Sequence, residues 1–170
     1  MLRPLILASA LSLLAAGCGG GGSARDAGES DTLLQPAPEI QFTTILRGSS
    51  GGVPSRRQMV ARTQAEWEEM WTLANQLGPV PVDPASRTPL PPAPAIDFTT
   101  KQAIGVFMGS FASGGHATSI TRIAPVGGTI VVHYREEAPP PGAIVTQAFE
   151  APVHLVTIPA SPDPVVFQLD

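Results

Sequence analysis

Apolar positions along this chain fall into short runs rich in β-branched and aromatic residues, broken by glycine and proline, with one stretch of helical period. "IQFTTILRG" (Ile40–Gly48) predicts a first strand that ends at glycine. "RQMVAR", from Arg57, predicts a short second strand pairing back on the first. From Thr63 the period changes. Trp67, Met70, Trp71 and Ala74 recur at i, i+3, i+4 and i+7, which places one apolar stripe on a helix over about residues 63–77. Thr63 and Glu66 have the spacing of a capping box, and Glu66, Glu68 and Glu69 load the first turns, where the helix dipole favours negative charge. Gly78 and Pro79 are the stop signal. Both tryptophans lie on the stripe, so they are read as the helix's anchor on a sheet.

Seven of the sixteen residues from Pro79 to Pro94 are proline. Without amide donors such a segment stays extended, and it reads as a stiff surface loop. Beyond it, "KQAIGVFMGS", "HATSITRIAPV", "TIVVHYREEA", "AIVTQAFEAPVHLVTIP" and "PVVFQLD" predict a series of strands. Gly127-Gly128 between two β-branched runs is a tight-hairpin signal. Gly114-Gly115 is read as a structural turn where the chain reverses between two strands. The spacing, with no helix intervening, predicts an α+β fold: an antiparallel meander of six or seven strands with the helix on one face.

The N-terminus carries a different pattern. Arg3 precedes a short apolar run from Leu5 to Ala16, followed by "LAAGC", with Cys18 the chain's sole cysteine. A charged start, a brief apolar core and small residues before a cut site predict a secretory signal over residues 1–17. The cysteine at the cut resembles a bacterial lipobox, so Cys18 is the expected lipidation site, acylated as the new N-terminus. Ala15 stands where that pattern prefers leucine. Several acyl chains would anchor the protein firmly, because each buried CH₂ contributes about 0.8 kcal/mol. Gly19 after the cysteine favours the outer membrane of a bacterial envelope over inner-membrane retention. Residues 18–39 read as a flexible tether, and residues 40–170 as one domain. With one cysteine no intramolecular disulfide can form, so packing alone holds that domain.

Charge narrows the partners. The formal net charge is −4, with one lysine, Lys101, among ten basic residues. No basic run exceeds Arg56-Arg57, which argues against nucleic acid. Chemistry is sparse. "GSSGG" (Gly48–Gly52) fits G-x-S-x-G in letters, but a strand and not a helix is predicted to follow, so it reads as a loop. His116, His133 and His154 lie 17 and 21 residues apart on separate predicted strands, without a metal-binding signature, and no cofactor motif is present. Ser113, His116 and Asp97 could be assembled into a triad on paper, but triads are defined by geometry. Glu136 and Glu137 are adjacent on a strand, so they face opposite ways and cannot share a site.

"AIDFTTKQAIGVFMGSFASGGHATSITRI" followed by "TQAFEAPVHLVTIP" resembles the PrcB C-terminal domain family of bacterial exported proteins and lipoproteins. The matching places are Asp97-Phe98, Gly109, Gly114-Gly115-His116 and Pro152–Pro159, with the "TQAEWEEMW" helix upstream. The resemblance runs over about residues 57–168. His116 stands where the family carries tyrosine, and Val153 where it carries another aromatic. Through the family's namesake, a lipoprotein that associates with a secreted protease, the resemblance implies no catalysis. It implies an accessory module that binds protein and stabilises an exported protease complex, with His116 and His154 as a candidate recognition surface. Two other readings stay open: an envelope protein that binds a small molecule or polymer, and an exported hydrolase.

Overall fold

The structure, a computed structural model, describes residues 38–49, 52–76 and 90–170. The signal, Cys18, most of the tether and the first part of the proline-rich loop lie outside the described residues. Seven strands and one helix follow in the order β1 (Thr43–Gly48), β2 (Arg57–Ala61), α1 (Gln64–Asn75), β3 (Lys101–Phe107), β4 (Ala117–Val126), β5 (Thr129–Glu137), β6 (Val153–Pro159) and β7 (Val165–Leu169).

The α+β class stands, but the strands divide between two sheets. A four-stranded antiparallel sheet has the order β1-β6-β3-β2, and a three-stranded sheet has the order β4-β5-β7. β7 runs parallel to β5, the exception to the antiparallel rule. The second strand does not pair back on the first. β1 pairs with β6 and β2 with β3, which leaves β3 and β6 in the middle. The physical reason lies in their composition. Gln102–Phe107 and Val153–Ile158 are buried at every position, as only strands covered on both faces can be.

Each face of that central pair has its own core. One gathers Trp67, Met70 and Ala74 of α1 against Ala103, Phe107, Val153 and Leu155. The other gathers Ile104, Val106, Val156 and Ile158 against Ile120, Ile123, Ile130, Val132 and Tyr134 of the three-stranded sheet. The layers are therefore helix, four-stranded sheet, three-stranded sheet. A single meander with one covered face would have left half of β3 and β6 in water.

Local signals act where the sequence places them. Thr63 caps α1: its hydroxyl accepts from the Glu66 N–H, and the Glu66 carboxylate accepts from the Thr63 N–H at 3.0 Å. The indole N–H groups of Trp67 and Trp71 donate to the carbonyls of Pro94 and Pro91, each at 2.8 Å. The described end of the proline-rich segment is thereby strapped along the helix. Gly127 and Gly128, with φ of 57° and 76°, close the β4–β5 hairpin in the left-handed conformation that this turn demands. The strand expected over residues 143–159 begins only at Val153; the ten residues before it are irregular.

Helix α1 seats closely because β3 presents small residues beneath it. A Cβ on Gly105 would lie 2.8 Å from Leu155 Cδ2 and 3.0 Å from Met70 Sδ. Gly105→Val is expected to lower stability by about 2 kcal/mol through overpacking. Urea unfolding followed by tryptophan fluorescence checks this, and an unchanged midpoint would contradict the seating described.

Candidate functional site

The three histidines occupy three different environments. His154, on β6, points into the space between the sheets and is 3% exposed. Its Nδ1 accepts the backbone N–H of Ile120 on β4 at 2.9 Å. That bond requires an unprotonated Nδ1, so the neutral ring carries its hydrogen on Nε2 and donates it to Thr44 Oγ1, 3.0 Å away. β4 makes this bond beside an irregularity in its pairing with β5, between Ile120 and Arg122. The imidazole therefore ties β1, β6 and β4 together, with the edge of the Phe42 ring against it. Burial, with a smaller contribution from Arg47, pushes its pKa down to about 4. The expectation that His154 forms part of a recognition surface is corrected: the side chain is an internal strut. Sequence alone could not reveal this, since its strand is buried on both faces and alternation gives no sign of which way it points.

His133 faces outward on β5. Its Nε2 accepts from Arg122 at 2.9 Å, and its Nδ1 donates to Asp170 Oδ1 at 2.9 Å. Asp170 also accepts from the Thr121 hydroxyl, and these bonds hold its carboxyl below the usual range. The sequence reading missed Asp170 as the partner of His133, because parallel pairing of β7 with β5 is what brings it there. Both ring nitrogens are engaged, so no lone pair remains to activate a nucleophile. Glu136 and Glu137 take separate partners, Arg56 and Arg135.

His116 lies just before β4, in the loop following β3. Its ring stacks on Phe111, with centroids 3.8 Å apart and planes 9° from parallel. Its backbone N–H donates to Glu150 Oε2 at 3.3 Å, and its Nδ1 is buried without a hydrogen-bond partner. Gly114 and Gly115 serve the turn expected of them. Gly115 has φ of 92°, and a Cβ on Gly114 would fall 2.2 Å from Thr146 Oγ1. That close approach lets the segment before β6 fold over the turn. Phe111 and Glu150 exchange both backbone bonds, at 2.7 and 3.0 Å, and the Gly114 N–H donates to the Thr146 carbonyl at 2.9 Å. Pinned this way, the segment holds Ile144 fully in water and Phe149 66% exposed. The sequence reading singled out neither residue, because it counted them as part of a continuous strand.

The paper triad is not assembled. Asp97 binds Thr99 and Thr100 at the entrance to β3, while His116 lies beyond that strand's other end, about 20 Å away at 3.3 Å per residue. Ser110 donates its hydroxyl to the Val53 carbonyl. Described residues after "GSSGG" lead into β2 and not into a helix. Among the described residues no three His, Cys, Asp or Glu side chains are grouped to hold a metal ion, and no helix is long and apolar enough to cross a membrane.

The class is thus a three-layer α+β domain whose two β-layers share a buried histidine, with a pinned apolar loop at one end. The family model described as PrcB C-terminal matches residues 103–159, so the family likeness stands over that stretch. The match spans β3 to β6, while β1, β2 and β7 complete the two sheets, and α1 covers one of them, from outside it. Comparison with curated proteins and with solved structures gives no match.

The His154 geometry predicts acid sensitivity. The unfolded chain takes up this proton near pH 6.5, but the fold resists it down to about pH 4. Stability from the neutral ring is therefore complete above pH 6.5 and is lost as pH falls from there to about 4, by about 3 kcal/mol at most. His154→Leu should flatten that part of the pH–stability curve. It should also lower stability at pH 7 by about 1–3 kcal/mol, since the Ile120 N–H loses its acceptor. Denaturation midpoints of both proteins between pH 4 and 7 provide the measurement. Separately, His116→Phe keeps the ring stack and removes the unpartnered nitrogen, so its thermal midpoint should not fall.

Proposed function

We propose that this protein is a lipid-anchored accessory subunit of the bacterial envelope that binds an exported protein, a protease complex being the class of partner that the family points to. The carrying observation is the pinned segment before β6. Its backbone is fixed at Phe111–Glu150 and Gly114–Thr146, while Ile144 and Phe149 stand in water. Large apolar side chains on an already ordered backbone lose little freedom on binding, which is what an efficient docking surface needs. The PrcB C-terminal match supports the same reading. Anchoring rests on the residues around Cys18 and is a separate part of the proposal.

Two experiments test the two parts. Cys18→Ser should release the protein from sedimented membranes into the soluble fraction; retention would remove the anchor. The double variant Ile144→Ser, Phe149→Ser should keep its melting temperature, because both side chains are exposed, yet lose at least tenfold in affinity for an exported protease complex that co-purifies with the unaltered protein. Undiminished binding would remove the docking surface.

A further inference from the structure

The opposite end of the domain carries a cavity of about 250 Å³ that this reading does not use. Its lining mixes two cations, Arg62 and Lys101, with the apolar surfaces of Phe98 and Pro162 and the polar side chains of Gln102 and Ser161. The guanidinium of Arg62 is fixed in place. Its Nε donates to Gln102 Oε1 at 3.0 Å and its Nη2 to the Asp163 carbonyl at 2.7 Å, which leaves further N–H donors in a set orientation. Gln102 is itself 1% exposed, so the group that orients the arginine does not move with solvent. Lys101 makes no salt bridge among the described residues. Asp97, the carboxylate coupled to it, is engaged by the hydroxyls of Thr99 and Thr100.

We infer that this cavity binds the free α-carboxylate of a polypeptide chain ending in an apolar residue. An oriented arginine fork with a nearby ammonium matches a carboxylate, and the Phe98 and Pro162 walls match an apolar side chain beside it. The cavity opens to solvent, so one terminal residue can enter it while the chain before that residue runs out of the site. A phosphate group would gain from the cations but would leave the apolar walls unused. The site is a second contact point, about 20 Å from Ile144 and Phe149 along β3, and stands or falls separately from that surface.

The test uses the full chain and a fluorescein-labelled tetrapeptide ending in phenylalanine, as the free acid and as the C-terminal amide, followed by fluorescence polarisation. The acid should bind, with the amide at least tenfold weaker. Lys101→Gln, at an exposed position, should weaken the acid about tenfold, leave the amide unchanged and preserve the melting temperature. Ile144→Ser with Phe149→Ser should leave acid binding intact. Equal binding of acid and amide, no effect of Lys101→Gln, or displacement by inorganic phosphate as effective as by N-acetylphenylalanine would each overturn the assignment.

Discussion

Everything in this domain is organised by the burial of both faces of two neighbouring strands, β3 and β6. Two strands of nearly unbroken apolar sequence cannot lie at the surface of a single sheet. They draw a helix onto one side and a second sheet onto the other, and the remaining strands are distributed so that these two stay central. Small residues at Ala103 and Gly105 admit the helix, while branched residues at Ile104 and Val106 fill the space toward the second sheet. The two cores are thus opposite sides of the same strands.

Within that apolar setting the few polar groups acquire definite tasks. His154 is held neutral between the sheets because its surroundings offer a backbone donor on one nitrogen and a hydroxyl on the other. Gln58 reaches Tyr134 at 2.9 Å, and the Arg56 guanidinium meets Glu136, so the sheets are also joined along another side. The Ile40 N–H donates to the Ile123 carbonyl at 2.8 Å, extending the chain before β1 over β4. These bonds orient one sheet on the other, which burial alone, being non-directional, does not do.

Function is read from the two ends of β3, where the packing constraint is released. At one end the loop after β3 and the segment before β6 lock together and leave apolar side chains outside. At the other, a fixed arginine and a lysine border a small apolar cavity. Of the triad that could be chosen from the sequence, Ser113 and His116 share the loop after β3, while Asp97 lies before that strand, bonded to Thr99 and Thr100.

The sequence by itself determined the local features. The Thr63–Glu66 cap, the Trp67–Ala74 stripe, the Gly127-Gly128 hairpin, the Gly114-Gly115 turn and the family likeness all rest on interactions between residues close along the chain or on short motifs. Only the tertiary structure decided which strands pair, that β7 runs parallel to β5, that His154 faces inward, that Asp170 meets His133, and that Ile144 and Phe149 remain in water. Each of these depends on contacts between distant segments, and a strand buried on both faces carries no polar–apolar alternation from which its neighbours or its facing could be read.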